Sequence, residues 1–353
     1  VMGWVSQQYG SFERFIERLC ARCEREGFQS HLVFPATPAS SEFVRNVRAQ
    51  IHVLPLARHP FDPRAWGGLR KIFRATNATH VHAHFGLDAM LAMAVARSLR
   101  IRRRFLTKHI VPGTSKIASL RHRWLAAQAD VFFAVSDRVA NALLDLGVAK
   151  EKVVRVYLGV DTNAYRPTPE RRAAARAMLG IGNEQVIVCT SHLREGKGVE
   201  LLPPLAAGLA QNPGNVRVIH AGGGPLREQI ESESVNIPLQ LLGVRQDIPD
   251  LLAAGDLFVF PTTGNEGLPL GPVEAMAAGL PIVASAVSDL PAIAGDALRL
   301  VPPGDIQALL TACRELLANH DAARTLGDSA QRAAVERFSV DAAVEAHMAR
   351  YLA

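Results

Sequence analysis

Residues 261–285 read PTTGNEGLPLGPVEAMAAGLPIVAS and have the pattern of a β–α–β unit. The stretch predicts the end of a strand, a loop, a helix, a turn and a second strand. Pro272 suits the first turn of the helix, and Gly279 suits its C-terminal stop. A helix that joins two apolar strands in this way is typical of a parallel sheet covered by helices.

The same alternation continues along the chain on both sides of this unit. Its clearest helical pattern covers residues 11–26 and is closed by Gly27. Candidate strands form two series of six, namely 31–34, 51–54, 80–83, 104–108, 131–135 and 153–158, then 185–190, 216–221, 239–243, 257–261, 281–285 and 298–301. We therefore predict an α/β fold of two Rossmann-like, doubly wound domains. Because ligands bind beyond the carboxyl ends of parallel strands, we expect these domains to face each other across a ligand-binding cleft.

The chain of 353 residues fits two domains of roughly 150 residues each. We place the boundary at residues 166–169, where two prolines precede the helical run 170–179. The predicted N-terminal domain covers residues 1–166 and the C-terminal domain covers 167–335. A terminal segment, 336–353, carries a last helix. The chain begins in what looks like a first strand, so we expect some N-terminal residues to be missing.

The composition is that of an ordinary globular protein, with 48% hydrophobic and 20% charged residues. Cys20 and Cys23 form a C-x-x-C pair. They share the apolar face of helix 11–26 and no second pair follows, which favours core packing over zinc or redox chemistry. Few, scattered cysteines suit a reducing cytosol. No apolar run reaches about 18 residues, so we expect a cytoplasmic protein without a membrane-spanning helix.

The excess of positive charge, +6 in all, is concentrated in one stretch. Nine cations fall between positions 97 and 123, namely Arg97, Arg100, Arg102, Arg103, Arg104, Lys108, Lys116, Arg121 and Arg123. We expect no nucleic acid to bind there, because no nucleic-acid-binding module accompanies them. A solvated surface is the simplest interpretation. Weak peripheral contact with an anionic lipid surface at the inner membrane face, or with a phosphorylated acceptor, is the alternative.

Residues that suit a phosphate and a sugar lie together in the stretch 261–285. The free N–H groups at the start of its helix, with the helix dipole, form an anion site suited to a phosphate. Glu266 lies at the exit of the strand, and Glu274 lies in the first turn of the helix. A carboxylate accepts two hydroxyl groups at once, which suits a ribose diol. The alternative for Glu274 is that it only complements the helix dipole.

Loops suited to a ligand follow the first two strands of the second series. After strand 185–190, Arg194 and Lys197 suit a diphosphate, whose negative charge grows as a glycosidic bond breaks. A solvated basic loop is the alternative. After strand 216–221, the glycines 222–224 let the backbone approach a ligand closely. No G-x-G-x-x-G is present, which counts against a hydride-transferring enzyme.

Histidines end two strands of the first series. His80, His82 and His84 alternate along a strand, so all three face one side of it. No carboxylate cluster accompanies them, and we expect no metal site. His109 ends the next strand and faces the predicted cleft, where an imidazole orients a sugar hydroxyl. The alternative for His109 is a core histidine with one hydrogen-bonded nitrogen.

These motifs, in this order, resemble those of the glycosyltransferase family 4 type of GT-B enzymes over nearly the whole chain. The N-terminal half contributes Tyr9-Gly10-Ser11, His82-Ala83-His84-Phe85-Gly86, His109, Ala134-Val135-Ser136 and the interdomain strand 154–161. The C-terminal half contributes Lys197-Gly198, the glycines 222–224 with Pro225, and the E-x7-E pair Glu266 and Glu274 with its flanking E-A-M-A-x-G-x-P-x-V.

The resemblance implies a retaining glycosyltransferase that moves a sugar from a nucleoside-diphosphate sugar (UDP- or GDP-sugar) to a hydroxyl acceptor, with no bound metal or cofactor. It implies that Glu274 binds the ribose, Glu266 faces the donor sugar, Lys197 neutralises the diphosphate and His109 lies near the donor sugar and acceptor. Further donor-binding residues are Gly10, His192, Arg194, Gly223, Val244, Gly267, Leu268, Pro269 and Leu270, and acceptor-side residues are His84 and Ser11. The final helix is expected to cross back onto the first domain.

Two positions depart from the family pattern. His192 stands where the family usually has an arginine, and Leu158 stands where the interdomain strand usually has an asparagine. Arg194 is the candidate for the missing charge. Two alternatives stay open: a GT-B nucleotide-sugar epimerase, and a non-catalytic nucleotide-sugar-binding protein. The motifs do not define the base, the sugar or the acceptor, and the basic stretch alone hints at an anionic or lipid-linked acceptor.

Overall fold

The computed structural model describes residues 1–2, 10–55, 62–84, 88–113, 115–210, 215–264 and 267–353. The chain forms two compact units: unit 1 comprises Val1–Leu158 and Val340–Ala353, and unit 2 comprises Gly159–Ser339. The change of unit at Leu158 comes before the prolines at which the sequence places the boundary. The reason is that Val160 N donates to Phe338 O (2.8 Å), which ties the segment after Leu158 to the end of unit 2.

Unit 1 is built from parallel strands covered by helices. Its strands are β1 (His31–Phe34), β2 (Gln50–Val53), β3 (His80–His84), β4 (Arg103–Lys108), β5 (Val131–Ala134) and β6 (Val153–Arg155). Its helices are α1 (Ser11–Arg25), α2 (Ser41–Asn46), α3 (Pro63–Ala75), α4 (Asp88–Ser98), α5 (Lys116–Gln128) and α6 (Asp137–Asp145), with the C-terminal helix α16 (Val340–Leu352). Strand β1 pairs with β2, and a four-stranded parallel sheet has the order β3-β4-β5-β6.

The C-terminal helix α16 packs against α1 within unit 1. Arg18 Nη1 lies 2.9 Å from Asp341 Oδ1, and Arg22 Nε lies 2.7 Å from Glu345 Oε1. Beside these ion pairs, Cys23 Sγ lies 3.6 Å from Met348 Sδ. Cys20 and Cys23 are buried free thiols, which confirms that this pair packs in the core.

The first two residues of the chain lie between β1 and β3. Met2 N donates to Val33 O (2.8 Å), and His84 N donates to Val1 O (2.9 Å). A cavity of about 380 Å³ lies beside them, lined by residues of β1 and β3. None of its lining residues is Asp, Glu, Lys or Arg, so no side chain there has the charge that a phosphate site needs.

Unit 2 contains a six-stranded parallel sheet. Its strands are β7 (Gln185–Thr190), β8 (Val216–Ala221), β9 (Leu239–Leu241), β10 (Leu257–Phe260), β11 (Ile282–Ser285) and β12 (Arg299–Val301), in the order β12-β11-β10-β7-β8-β9. Its helices are α7 (Thr162–Tyr165), α8 (Pro169–Met178), α9 (Leu202–Ala210), α10 (Arg227–Glu233), α11 (Ile248–Ala254), α12 (Leu270–Ala277), α13 (Leu290–Ala294), α14 (Ile306–Ala318) and α15 (His320–Arg337). The order reverses between β7 and β10, which is the switch point where doubly wound sheets bind ligands.

A continuous apolar core lies against the unit 2 sheet. It includes Ile187 and Val218 from the sheet, Leu205 and Leu209 from α9, and Cys313 from α14. This core fixes the strands, so the loops at their carboxyl ends start from defined positions. Among the described residues, no helix is long and apolar enough to span a membrane.

The twelve strands expected from the sequence are all present, and three of them (31–34, 185–190 and 216–221) have the expected ends. The expected strand 153–158 shows the largest difference, because the observed strand is three residues shorter. It ends at Arg155 because its pairing partner β5 ends at Ala134, the residue opposite Arg155. Helix α12 ends as expected: Gly279 has φ +70°, and its N–H donates to Met276 O (2.9 Å).

Candidate active site

Three loops meet at the carboxyl edge of the unit 2 sheet, beside its switch point. We call residues 191–198 the basic loop, residues 222–225 the glycine loop and residues 261–264 the β10 loop. Leu193 N donates to Gly223 O (2.9 Å), while Thr263 N and Gly264 N both donate to Gly196 O (3.0 and 2.8 Å). The basic loop is therefore held between the other two loops, at the edge where a ligand of this fold would bind.

Two glycines make this close packing of backbones possible. Gly198 has φ +66°, and a Cβ atom at that position would lie 1.9 Å from Pro261 O. Gly222 has φ +149°, and a Cβ atom there would lie 1.8 Å from Ser191 O. Only glycine fits both the positive φ and the missing space, so the sequence dictates how the loops join.

The start of helix α12 lies against the same edge. A Cβ atom on Gly271 would lie 3.2 Å from Thr190 Oγ1 and 3.3 Å from Thr190 O, so the first turn of α12 packs on the end of β7. The N-cap residue Pro269 provides no side-chain hydrogen bond to the helix. Glu274 is half-buried and lies three residues after Gly271, on the same side of the helix. The basic loop and the helix start thus share one edge, as a diphosphate site formed by both would require.

Buried polar atoms also collect at this edge. Thr190 Oγ1, His220 Nδ1 and Thr262 Oγ1 have no hydrogen-bond partner among the residues that the structure describes. They lie at or just beyond the ends of β7, β8 and β10, which are neighbours in the sheet. Buried polar groups are normally hydrogen-bonded, so three such atoms together indicate a place where a polar ligand or water completes the site. No sequence motif pointed to these three side chains.

His220 is a neutral member of this group. Its side chain is fully buried, and its Nε2 lies 3.2 Å from Ser191 Oγ. The pKa of His220 is lowered to about 4, chiefly by burial; a hydrogen bond to Ser191 opposes the change, and the nearby Arg227 contributes to it. At neutral pH the imidazole is therefore uncharged and serves as a hydrogen-bonding group.

The cations of the basic loop differ in exposure. Lys197 is half-buried, whereas His192 and Arg194 are exposed. Arg194 Nη1 lies 3.4 Å from the carbonyl oxygen of the next residue, Glu195, so it stays on its own loop. A further cation that no sequence motif indicated, Arg227, begins α10; its Nη2 lies 2.7 Å from Glu231 Oε1.

The other predicted donor residues surround these loops. Gly267, Leu268 and Pro269 are buried, and Leu270 is half-buried at the start of α12. Val244 is 54% exposed and lies beside Gly223, where a Cβ atom would be 3.1 Å from Val244 Cγ2. An exposed valine beside a glycine backbone suits an apolar contact with the face of a nucleobase. Glu266 lies outside the described residues, so its predicted role stays a prediction.

In unit 1, the predicted catalytic residue His109 follows β4 and contacts His84. His109 Nε2 lies 3.1 Å from His84 Nδ1, and the ring of Phe12 stands edge-on to His109 at 5.3 Å. Burial, with the nearby His347 and Lys108, lowers the pKa of His109 to about 3. A neutral imidazole that shares a hydrogen bond with a second imidazole has its tautomer fixed by that neighbour.

The predicted acceptor-side residues are enclosed within unit 1. His84 is 3% exposed and Ser11 is 5% exposed, so both side chains lie behind the surface. His84 contacts His109 and is placed to orient that residue, and the acceptor-side roles of His84 and Ser11 stay predictions. Gly10 is half-buried, and its N–H donates to Glu13 Oε2 (3.0 Å) in the cap of α1.

The alternating histidines do face one side of β3, where they meet α16 and β4. His80 Nε2 lies 3.1 Å from Tyr351 O, His82 Nε2 lies 2.7 Å from Thr107 Oγ1, and the rings of His82 and His84 are 4.1 Å apart. Within the described ranges, no group of three or more His, Cys, Asp or Glu side chains is arranged to hold a metal ion.

Comparisons with known proteins agree with this architecture. The model of "Glycosyltransferase Family 4" matches residues 12–164, and that of "Glycosyl transferases group 1" matches residues 184–319. A GDP-mannose-dependent α-(1-6)-phosphatidylinositol monomannoside mannosyltransferase of Mycolicibacterium smegmatis is 27% identical over 72% of this chain and 72% of its own length. The MMP α-(1->4)-mannosyltransferase of Mycolicibacterium hassiacum is 32% identical over 61% of this chain but only 52% of its own length.

A solved structure shares the fold over almost the entire chain. The crystal structure of Anabaena Alr3699/HepE in complex with UDP and glucose has a TM-score of 0.84 and 22% identity, and the match covers 99% of this chain and 98% of that one. The fold and the matches together define a two-domain glycosyltransferase of the GT-B type. Within that class, this chain carries a glycosyltransferase family 4 domain over residues 12–164, followed by a glycosyl transferases group 1 domain over residues 184–319.

Proposed function

We propose that this glycosyltransferase is a retaining enzyme that transfers a sugar from a nucleoside-diphosphate sugar to a hydroxyl group. The observation that carries the proposal is the meeting of the basic loop and the start of α12 at one edge of the unit 2 sheet. Gly196 O accepts from Gly264 N (2.8 Å), and Gly271 packs on Thr190, so both elements border the same space.

The donor diphosphate is the ligand that best suits this edge. Lys197 supplies a positive charge, and the first-turn N–H groups of Leu270 and Gly271 supply donors together with the helix dipole. As the glycosidic bond breaks, negative charge grows on the leaving diphosphate, and fixed positive groups stabilise it. We propose that these groups act without a metal ion and that the enzyme holds no cofactor, the nucleotide sugar being a co-substrate.

The transfer itself proceeds on one face of the sugar. The acceptor oxygen forms a bond to the anomeric carbon while the bond from that carbon to the diphosphate oxygen breaks. Because the new bond forms on the face from which the diphosphate leaves, the anomeric configuration is retained, and the acceptor proton passes to the leaving diphosphate oxygen on that same face. We propose that Glu274 receives the two ribose hydroxyls, that Glu266 faces the donor sugar and that His109 serves the transfer.

The neutral state of His109 limits what that residue can do. With a pKa lowered to about 3, it carries no proton to donate as an imidazolium at neutral pH. It is suited to hold a hydroxyl by a hydrogen bond, with His84 fixing its orientation from behind.

The mannosyltransferase relative named above acts on a phosphatidylinositol mannoside, and we propose an anionic or lipid-linked acceptor here as well.

A donor screen followed by product analysis tests the proposal. A ligand that binds only the folded state raises the melting temperature, so a UDP- or GDP-sugar should raise it and the matching nucleoside monophosphate should raise it less. With that donor, NMR of the product should show the anomeric configuration of the donor, and a chelator should leave the rate unchanged. An inverted product would refute the retaining mechanism.

Glu274→Gln tests the ribose contact. The substitution replaces a carboxylate that accepts two hydroxyl hydrogen bonds by a neutral amide with one acceptor oxygen. Donor affinity should therefore fall by roughly 10- to 100-fold. Glu336→Gln is the matched control, because Glu336 is exposed on α15. Conversion of the donor without any acceptor would favour an epimerase, and tight donor binding without transfer to any acceptor would favour a non-catalytic protein.

A further inference from the structure

The basic stretch of the sequence does not form one uniform charged surface. Arg104 is paired with Asp130, with Nη2 2.8 Å from Oδ1 and Nε 3.1 Å from Oδ2. Lys108 is half-buried and therefore does not belong to the exposed charges. Of the cations that are exposed, Lys116 and Arg123 lie on helix α5, whereas Arg97, Arg100 and Arg102 lie before strand β4.

Helix α5 presents a row of exposed apolar side chains. Ile117 is 80% exposed, Leu120 is 67% exposed and Trp124 is 37% exposed. Their spacing of three and four residues places them on one face of the helix. Ile110, in the loop before α5, is 65% exposed. Four of the eleven large hydrophobic side chains that are exposed among the described residues thus fall within positions 110–124.

The opposite face of α5 is already used for packing. His122 is fully buried and Leu125 is 1% exposed, and Ala129, just beyond the helix, is 1% exposed. The orientation of α5 is therefore fixed by the core of unit 1, and the apolar row cannot turn inward without removing these side chains. We call the exposed residues Lys116, Ile117, Leu120, Arg123 and Trp124, with half-exposed Arg121, the α5 face.

Positive charges border the apolar row. Lys116 and Arg123 are exposed and Arg121 is half-exposed, while α5 contains no Asp or Glu. Arg97, also exposed, donates from Nη1 to Ala127 O (2.7 Å) and adds a fourth charge at the end of the helix. A helix that carries aliphatic residues and a tryptophan on one face, bordered by Lys and Arg, is suited to lie in the interface of an anionic membrane.

We propose that the α5 face docks this chain onto an anionic lipid surface, with Ile117, Leu120 and Trp124 at the level of the headgroups and the flanking cations on the lipid phosphates. Nucleic acid is a poorer fit, because its binding relies on phosphate contacts and gains nothing from exposed Ile and Leu. The docking surface belongs wholly to unit 1, so the proposal holds whether or not the donor assignment is right.

Vesicle flotation with the full chain tests the docking. The wild-type protein should float with mixed phosphatidylcholine–phosphatidylglycerol vesicles and not with phosphatidylcholine alone, and added salt should release it. Ile117→Ser with Leu120→Ser should weaken binding at least tenfold. Lys116→Ser with Arg121→Ser and Arg123→Ser should weaken it roughly a hundredfold.

Matched controls remove the same chemistry elsewhere. Val335 and Arg332 are exposed residues of α15. The variants Val335→Ser and Arg332→Ser should both bind anionic vesicles as the wild type does. Circular dichroism and the melting temperature of each α5 variant should match the wild type, because only exposed side chains change.

Three results would overturn the proposal. The first is wild-type binding that is equal for neutral and anionic vesicles, or absent from both. The second is full vesicle binding by the Ile117→Ser, Leu120→Ser variant together with equally tight binding of an oligonucleotide, which would mean a general polyanion surface. The third is loss of self-association by the α5 variants without any vesicle binding by the wild type, which would mean a protein interface.

Discussion

Lys197 is the half-buried cation of the basic loop. The neighbouring His192 and Arg194 side chains are exposed, and Arg194 Nη1 stays near its own loop. Lys197→Ala should therefore lower kcat by roughly 10²- to 10³-fold, since a fixed positive group that stabilises the leaving diphosphate is lost. The measurement is steady-state transfer at saturating donor. The KM for the acceptor should change little, because the lysine is assigned to the donor alone.

Lys150→Ala is the control for this change, because Lys150 is exposed in unit 1 and far along the chain from the basic loop. It should transfer sugar as the wild type does. If Lys197→Ala kept kcat within about threefold of the wild type, the lysine would not neutralise the diphosphate, and Arg227 would become the cation to examine.

At the level of the elements, the site depends on how tightly the loops join. Gly198→Ala places a methyl group 1.9 Å from Pro261 O at φ +66°. The contact forces the basic loop away from the β10 loop, so the free energy of unfolding should fall by about 1–3 kcal/mol from the overlap, in addition to about 1 kcal/mol from the positive φ. Urea unfolding measures the loss, and the donor-induced rise in melting temperature should shrink.

Gly180→Ala separates these two effects. Gly180 also has a positive φ, +62°, but a Cβ atom there would meet nothing within 4 Å. This variant should show only the backbone strain and should keep its response to donor. Equal losses of stability in the two variants would mean that the close contact between Gly198 and Pro261 contributes nothing to the change in the free energy of unfolding.

The elements themselves follow from local sequence, whereas their contacts do not. Runs such as 185–190 and 216–221 are apolar and bounded by turn residues, so both strands were predicted with their ends. Thr190, His220 and Thr262 were not selected, because they come together only through the order β10-β7-β8. Parallel strands pair across long connections, and no short pattern reveals which strands are neighbours.

The site residues show the same limit. Lys197 and Glu274 were predicted from motifs, and the packing of Gly271 on Thr190 brings their loops to one edge. The burial of His84 was not predicted, because the side chains that cover it come from distant segments. Phe12 lies 5.8 Å from its ring, and His109 Nε2 lies 3.1 Å from its Nδ1. Alternation along a strand gives the face of a residue but not the depth at which it lies.

At the scale of the whole molecule, the two units share a doubly wound plan but place different chemistry in it. Unit 2 gathers a cation and a helix start, which suit an anion. Unit 1 gathers imidazoles, and burial is the largest cause that lowers the pKa of His82, His84, His109 and His347. Their neutral state allows them to pack against one another and against aromatic rings, since like charges at these distances would repel.

This packing should make unit 1 sensitive to acid. A histidine whose pKa is lower in the folded state binds its proton more readily when unfolded, so the stability it contributes is complete above pH 6.5 and is lost as pH falls toward its folded pKa. For His347 that pKa is about 4, which opens a window from pH 6.5 to 4. Each such histidine should lower the free energy of unfolding by up to about 1.4 kcal/mol per pH unit within the window.

Tryptophan fluorescence follows this loss in unit 1, because all three tryptophans, Trp4, Trp66 and Trp124, lie in its part of the chain. The urea concentration at the unfolding midpoint should decrease as the pH is lowered from 7 to 5. His347→Phe removes one titrating ring and keeps aromatic packing beside Phe133, whose ring lies 4.1 Å away, so its midpoint should fall less steeply. His320→Gln, on an exposed residue, should follow the wild type. A wild-type midpoint that stayed constant from pH 7 to pH 5 would mean that the buried imidazoles accept protons without unfolding, and that the cluster is not held together by their neutrality.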